Sequence, residues 1–112
     1  MPGVADSGVS APNLSFLAES GATFANAYCS SPVCSPARAS LYTGTIPSYH
    51  GVHDYLEDNA LGADHRGIAG LPNIGTVAQS AGYTTGLFGK WHCSNFLTPH
   101  AGFDRWFTLR DG

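Results

Sequence analysis

The chain has 112 residues, of which 43% are hydrophobic and 12% are charged, and its 5 basic and 8 acidic side chains give a formal net charge of −3. This length accommodates one small domain or part of a larger one. The charge balance excludes the basic surface that would neutralise a nucleic-acid backbone, and no apolar run approaches the roughly 20 residues that span a bilayer. We therefore expect no nucleic-acid partner and no membrane span.

The first third of the chain predicts a helix followed by a strand. Residues 12–20 carry a proline suited to the first helical turn and apolar residues at helical spacing, and Gly21 is placed to end the helix. Residues 22–28 are short and contain aromatic side chains, which favours a strand. A loop over residues 29–33 follows.

A second predicted helix begins directly after this loop. Ser35 is a residue type that caps helices, Pro36 suits the first helical position, and Gly44 suits the end. Cys34 is therefore expected just before a helix N-terminus, where unpaired N–H groups and the positive end of the macrodipole favour anions.

The remaining elements indicate an α/β fold. Residues 45–71 show no sustained period and predict a long irregular connection, whereas residues 72–81 have the apolar spacing of a helix that ends at Gly82. Residues 83–89 are β-prone and follow at once, so a helix-then-strand unit occurs twice. The tail, residues 100–112, carries an aromatic cluster.

Three basic side chains are candidates for contact with an anionic ester. Arg38 lies four residues after Cys34, about one helical turn along, so that its guanidinium can reach the same end of the helix. Lys90 and His92 are two apart at a strand end, and in an extended segment they point to the same face. Lysine supplies a point charge, and histidine exchanges a proton near neutral pH.

These residues lie in motifs that resemble those of the formylglycine-dependent sulfatases. Cys34-Ser35-Pro36-Ala37-Arg38, followed by Thr43-Gly44, is similar to the family signature of Cys, any residue, Pro, any residue, Arg with a later Thr-Gly. Further similar segments occur in family order: Pro12-Asn13-Leu14, His50-Gly51-Val52, Ala81-Gly82-Tyr83-Thr84-Thr85, Gly89-Lys90-Trp91-His92 and Gly102-Phe103-Asp104. The chain departs from the family at Cys93-Ser94, where Leu-Gly is common.

The resemblance implies sulfuric ester hydrolysis by a modified cysteine. A formylglycine-generating enzyme would oxidise Cys34 to an aldehyde, whose hydrate provides one hydroxyl to attack sulfur and a second that lets sulfate leave. Arg38 would hold and polarise the formylglycine, Lys90 would contact the sulfate ester, and His92 would hydrogen-bond the formylglycine. Cys34, Arg38 and His92 are thus the expected catalytic residues, and Lys90 and His92 the expected substrate-binding residues.

The resemblance also implies a fold, a cation and a larger protein. The fold would be part of an alkaline-phosphatase-like three-layer αβα sandwich with a mostly parallel sheet. The divalent cation, calcium in this family, would be bound by Cys34 as formylglycine together with ligands absent from this chain. We expect residues 1–112 to be the N-terminal portion of a catalytic domain that lacks its first strand and its C-terminal part, and to be inactive alone. A periplasmic, secreted or lysosomal location is implied by family only.

Two alternatives remain open at the level of sequence. Relatives with the same motif hydrolyse phosphonate monoesters or phosphodiesters, and no residue here separates these esters from sulfates. A non-enzymatic zinc module would instead use Cys29, Cys34, His92 and Cys93, although the adjacent His92-Cys93 pair is awkward for tetrahedral ligation.

Other polar residues are expected to have no catalytic role. The acidic residues of the long connection predict a solvated loop rather than a cation site: Asp54, Glu57 and Asp58. The remaining histidines lack compact ligand spacing and are interpreted as structural: His50, His53, His65 and His100. Of these, His50 and His53 follow the signature helix closely enough to approach the site.

Overall fold

The structure, a computed structural model, describes residues 8, 10–56 and 67–109. The helices of this part are α1 (Pro12–Ser20), α2 (Cys34–Thr43), α3 (Pro47–His50) and α4 (Ile74–Ser80), and the strands are β1 (Gly86–Gly89) and β2 (Arg105–Thr108). Helices combined with a parallel strand pair confirm the predicted α/β class.

The N-terminal segment confirms one prediction and contradicts another. Helix α1 has the predicted bounds, although its N-cap, Ala11, makes no side-chain capping hydrogen bond. The strand predicted over residues 22–28 is wrong, because this segment is irregular and exposed. A β-prone sequence forms a strand only where a neighbouring strand pairs its backbone groups, and none of the described strands lies beside it.

Helix α2 begins two residues earlier than the capping pattern predicts. Its N-cap is Val33, with φ −98° and ψ 138°, so Cys34 is the first helical residue rather than the one before the helix. Ser35 lies inside the first turn and does not cap it. The C-terminal end is as predicted: Gly44 has φ +67°, and its N–H donates to the Ser40 carbonyl over 2.8 Å.

The connection after α2 contains structure that its irregular sequence does not predict. Helix α3 is a single turn in which Pro47 occupies the start, and Gly51, at φ +78°, ends it by donating its N–H to the Pro47 carbonyl. One turn is too short to show a helical period in the sequence. Glu57, Asp58 and His65 lie outside the described residues.

Helix α4 lies within the predicted residues 72–81 and starts with a capping box. The Asn73 side chain accepts hydrogen bonds from the N–H groups of Gly75 and Thr76 over 2.9 and 3.1 Å, and the Thr76 hydroxyl accepts from the Asn73 N–H. Its buried residue is Gly75, whereas the apolar Ile74 and Val77 are more than 60% exposed. The predicted apolar face is therefore uncovered within the described chain.

The two strands pair in parallel, with Gly86 opposite Arg105 and Gly89 opposite Thr108. Strand β1 lies within the predicted residues 83–89, whereas β2 falls in the tail and was not predicted. Parallel pairing requires a crossover between the strands. Here residues 90–104 form it without a regular helix or strand, so Lys90 and His92 leave the carboxyl end of β1 at the start of this crossover.

The hydrophobic core lies between α2, β1 and the crossover. Its buried members are Ala39, Val52, Ile68, Leu87, Trp91 and Cys93. Trp91 is the largest of them, and its ring packs against Tyr42, Phe103 and Trp106 at centroid distances of 4.8 to 5.9 Å. The core is thus built directly beneath the motif residues. No helix in the described part is long and apolar enough to cross a membrane.

Candidate active site

Cys34 lies at the start of α2, partly buried, with a free thiol. The first hydrogen bond of the helix runs from the Ala37 N–H to the Val33 carbonyl over 3.1 Å, so the N–H groups of Cys34 and Ser35 precede the helical ladder. Pro36 has no N–H to leave unpaired, which is why a proline is tolerated in this turn. A negatively charged group at position 34 would face the positive end of the helix.

The Arg38 guanidinium connects α2 to the crossover. Its Nη1 donates to the Lys90 carbonyl oxygen over 2.7 Å, and the Tyr42 hydroxyl donates to the same oxygen over 3.4 Å. Arg38 and Tyr42 are four residues apart and therefore share a helix face. This carbonyl thus fixes the signature arginine and the Gly-Lys-Trp-His motif relative to each other. Lys90 itself is partly buried.

His92 does not have the extended geometry assumed from its spacing. Its φ is +52°, which none of the other described non-glycine residues shares, so the rule that residues two apart point to one face does not apply to Lys90 and His92. Its Nε2 lies 2.8 Å from the Leu56 carbonyl oxygen, and the Tyr55 ring meets the imidazole edge-on at 4.6 Å. The histidine is therefore oriented by the loop that precedes residue 57.

Cys93 occupies the position where the chain departs from the family. Its side chain is fully buried, and its Sγ lies 3.9 Å from the Ser35 carbonyl oxygen. Burial raises the pKa of this thiol to about 12, against a smaller opposing effect of Arg38. Cys93 is therefore a protonated packing group at neutral pH. Burial likewise raises the pKa of Tyr42, so this phenol remains a hydrogen-bond donor.

The other described histidines lie in separate environments. The buried His50 accepts from the Val52 N–H at Nδ1 over 3.1 Å, so neutral His50 carries its proton on Nε2 and donates to the Ser40 hydroxyl over 3.0 Å. His100 stacks on Trp91 and contacts the Ser94 hydroxyl and the Asn95 carbonyl. His53 and Asp54 are exposed.

The zinc alternative finds no support in this arrangement. In the part of the chain that the structure describes, no group of three or more His, Cys, Asp or Glu side chains is positioned to hold a metal ion. Cys29 is exposed on an irregular segment, whereas Cys93 is buried in the core. These two proposed ligands are therefore in different environments.

Sequence reasoning missed the residues that connect the candidate site. The buried Ser35 hydroxyl accepts from the Leu56 N–H over 3.0 Å instead of capping the helix, and the Leu56 carbonyl contacts His92. Tyr42 and Tyr55 add the contacts to Lys90 and His92 described above. The contacts through Leu56 use backbone groups, which leave no signal in the side-chain pattern.

A cleft of about 270 Å³ lies beside Trp91, and none of the four predicted site residues lines it. It is lined by Ile68, Ala69, Gly70, Leu71, Pro72, Asn73, Thr76, Trp91, His100 and Ala101. The candidate site is therefore defined by the contacts of α2 with the crossover and not by this cavity.

Comparison with known proteins matches this chain to sulfatases. A family model described as Sulfatase matches residues 4–111. N-acetylgalactosamine-6-sulfatase from Mus musculus is 33% identical over 111 residues, covering 86% of this chain and 20% of that protein. Arylsulfatase A from Homo sapiens is 37% identical over 107 residues, covering 88% and 20%. Arylsulfatase G from Homo sapiens is 35% identical over 104 residues, covering 87% and 18%.

The chain therefore spans about a fifth of the length of these curated relatives. The family match covers nearly all of it, including the signature at the start of α2 and the motif at the end of β1. The chain belongs to the sulfatase family.

Proposed function

We propose that this chain is the nucleophile-bearing part of a sulfuric ester hydrolase in which Cys34, converted to formylglycine, attacks a sulfate ester. The observation that carries this proposal is the hydrogen bond from Arg38 to the Lys90 carbonyl, which joins the signature helix to the second motif of a sulfatase-family chain. Residues 1–112 would form the N-terminal portion of a larger catalytic domain with the three-layer αβα sandwich.

Position 34 suits a nucleophile that develops negative charge. When formed, the hydrated aldehyde would supply one hydroxyl that attacks sulfur and displaces the alcohol of the ester, and a second whose deprotonation would expel sulfate and restore the aldehyde. The N-terminal turn of α2 offers backbone N–H groups and a positive dipole end to this charge. Arg38, one turn further on, adds a fixed positive charge that holds and polarises the group.

Lys90 and His92 would serve the substrate side of the reaction. Lys90 follows the carboxyl end of β1, where open α/β sheets bind ligands, and its ammonium would contact a sulfate oxygen. His92 donates from Nε2 to the Leu56 carbonyl, which leaves Nδ1 of the neutral ring as an acceptor for a proton of the group at position 34.

The described residues do not by themselves fit a calcium site. Calcium takes six to eight oxygen ligands, and the described part of the chain assembles no carboxylate cluster. Cys34, as formylglycine, is the single ligand that we propose from this chain, with the others contributed from outside it. For this reason we propose that the 112-residue chain is inactive alone, and we expect no aryl sulfate turnover by it in calcium-containing buffer.

The formylglycine-generating enzyme is the proposed modifying partner. In the folded chain Ser35 and Pro36, the residues that follow Cys34, are almost completely buried. A modifying enzyme must surround these backbone and side-chain atoms to recognise them, so we propose that modification precedes folding. The proposed location is the periplasm, the lysosome or the secreted fraction, on family grounds.

The decisive experiment uses the intact enzyme that contains this chain, co-expressed with the generating enzyme. Mass spectrometry should find an aldehyde in place of the thiol at residue 34, and aryl sulfate turnover should follow the aldehyde fraction. Cys34→Ala should abolish both, whereas Cys29→Ala, which changes an exposed thiol, should leave both unchanged. Active protein with an unmodified thiol at residue 34 would contradict the mechanism.

The same preparation separates the two ester classes. Aryl sulfate and aryl phosphodiester are assayed side by side at equal concentration, and the ratio of their kcat/KM values is measured. A sulfatase should favour the sulfate. A ratio in favour of the phosphodiester would assign the phosphonate monoester or phosphodiester activity instead.

A further inference from the structure

One buried atom of the candidate site lacks a hydrogen-bond partner. Among the described residues, His92 Nδ1 is the buried side-chain nitrogen or oxygen that no other atom satisfies. A carbonyl oxygen only accepts, so the contact with the Leu56 carbonyl places the ring proton of neutral His92 on Nε2. Nδ1 then carries a lone pair, and leaving a buried lone pair unpaired costs free energy.

The same residue carries unusual backbone geometry. His92 has φ +52°, a region that side-chain-bearing residues rarely adopt, and such geometry persists only where the surroundings enforce it. The backbone conformation of His92 is therefore held by neighbouring groups. The groups in contact with the imidazole are the Leu56 carbonyl and the edge-on Tyr55 ring.

Both sides of His92 are tied to one residue of the signature helix. On one side, the Leu56 N–H donates to the Ser35 hydroxyl over 3.0 Å, and the Leu56 carbonyl holds His92. On the other side, the next residue, Cys93, directs its Sγ to the Ser35 carbonyl at 3.9 Å. Ser35 has no solvent exposure and directly follows Cys34.

We propose that Ser35 is a positioning residue: its hydroxyl holds the backbone N–H of Leu56, and this contact fixes the residue whose carbonyl keeps the proton of His92 on Nε2 and leaves Nδ1 as the acceptor of the site. The use of that acceptor in catalysis rests on the proposed function. The hydrogen-bond chain from Ser35 through Leu56 to His92 does not. Any side chain without a hydroxyl at position 35 would leave the Leu56 N–H without this acceptor.

The helix provides a matched control for this serine. Ser40 also lies in α2, and its hydroxyl also bonds to the Nε2 of a histidine, His50, over 3.0 Å. Ser35→Ala and Ser40→Ala therefore remove the same group from the same helix, with different histidines affected. Ser35→Thr retains a hydroxyl at position 35 and should restore the original behaviour.

The test is nitrogen-15 NMR of the imidazole groups in the 112-residue chain, above the titration range of histidine. The original chain should show His92 with its proton on Nε2 and slow exchange of that proton with solvent. In Ser35→Ala the exchange rate should rise about tenfold, the factor expected when one hydrogen bond is lost, while His50 is unaffected. In Ser40→Ala the Nε2 proton of His50 should exchange faster while that of His92 is unaffected. In Ser35→Thr both protons should exchange as in the original chain.

Two outcomes would overturn the inference. One is a His92 proton on Nδ1 in the original chain, a measurement that needs no variant to fold. The other is unchanged exchange of the His92 proton in a folded Ser35→Ala chain.

A second experiment uses the intact enzyme, with rates divided by the measured aldehyde fraction. Ser35→Ala should lower kcat and move the acidic limb of the pH profile of kcat, and Ser35→Thr should rescue both.

The failure of this inference is distinguishable from failure of the proposed function. Unmodified but active intact enzyme would contradict the formylglycine mechanism and leave the NMR result standing. Unchanged exchange at His92, together with sulfatase turnover that follows the aldehyde fraction, would contradict the role of Ser35 alone.

Discussion

Two regions of this chain contain a helix with apolar side chains, and they differ in what those side chains contact. Residues 10–30, which include α1, contain no buried residue, and Leu14, Phe16 and Leu17 are each more than half exposed. Helix α2 instead buries Ser35, Pro36 and Ala39. Helical spacing is therefore enough to form a helix, whereas burial requires a second surface to pack against.

The hydrogen bonds of the two regions show the same difference. Within the described residues, the hydrogen bonds of α1 are local, such as the Ser20 hydroxyl donating to the Phe16 carbonyl. Helix α2 contacts residues distant in sequence, through Arg38 to Lys90 and through Ser35 to Leu56. The motifs of the candidate site thus lie in the part of the chain where long-range contacts fix side-chain positions. If burial and long-range contacts distinguish the two regions, chemical modification and substitution should affect them to different degrees.

The largest expected effect concerns the two thiols at the extremes of exposure. Burial raises the pKa of Cys93 to about 12, so this thiol forms very little thiolate at neutral pH, and burial also blocks access to it. Alkylation followed by mass spectrometry should label Cys29 quickly and leave Cys93 unreacted. The two thiols should react alike once the chain is unfolded in urea. Equal rates in the folded chain would contradict the predicted difference between the regions.

Truncation of an aromatic side chain should lower the free energy of unfolding much more in the core than in α1. Trp91 is 1% exposed, and Trp91→Ala should lower the free energy of unfolding by about 3–5 kcal/mol, the range for large aromatic deletions. Phe16→Ala, at a residue 68% exposed, should change it by less than about 0.5 kcal/mol. Urea denaturation followed by circular dichroism measures both values. A comparable loss at Phe16 would show that α1 packs against the core.

Removal of a helix cap should have an intermediate effect. Asn73→Ala deletes the two capping hydrogen bonds to Gly75 and Thr76 and a third from its Nδ2 to the Ala101 carbonyl, so we expect a loss of about 1–2 kcal/mol. The matched control is Ala11→Ser, which adds a capping group to α1. It should leave the global unfolding midpoint unchanged, because α1 contributes little burial. A shift of the midpoint by this control would contradict that interpretation.

The smallest effect is expected from pH, at the contact between α2 and α3. Burial lowers the pKa of His50 from its ordinary value of 6.5, so the unfolded chain binds more protons at this residue than the folded chain does. The stability contributed by neutral His50 is therefore fully present above about pH 6.5 and is lost as the pH falls through that value towards the lower folded pKa. The free energy of unfolding should be lower at mildly acidic pH than at neutral pH, and His50→Gln should reduce this difference. An unchanged pH dependence in this variant would assign the effect to other groups.

Several features of the fold were predictable because their causes are local. Helices α1, α2 and α4 have proline, asparagine or glycine at their ends and apolar spacing between them, and these signals act within a few residues. Strand β1 follows α4 with β-prone residues. By contrast, residues 22–28 and β2 depend on whether a partner strand is present, which local signals do not reveal.

The candidate site likewise has features that the sequence predicted and features that it did not. Its residue types and spacing carried the family resemblance, because the chemistry of an anionic ester requires a nucleophile and fixed positive charges. The relative positions of Arg38, Lys90 and His92 were not predictable. They depend on one shared carbonyl oxygen and on a positive φ at a non-glycine residue.

The sequence by itself therefore determined the family, the identity of the candidate nucleophile and most helices of the described chain. Only the tertiary structure decided which elements are buried, that Cys34 is inside α2, and that hydrogen bonds connect Ser35 to Leu56 and Leu56 to His92. The physical reason is that residue chemistry and helix capping depend only on residues close together in the sequence. Burial and backbone hydrogen bonds between distant segments arise only when the chain has folded.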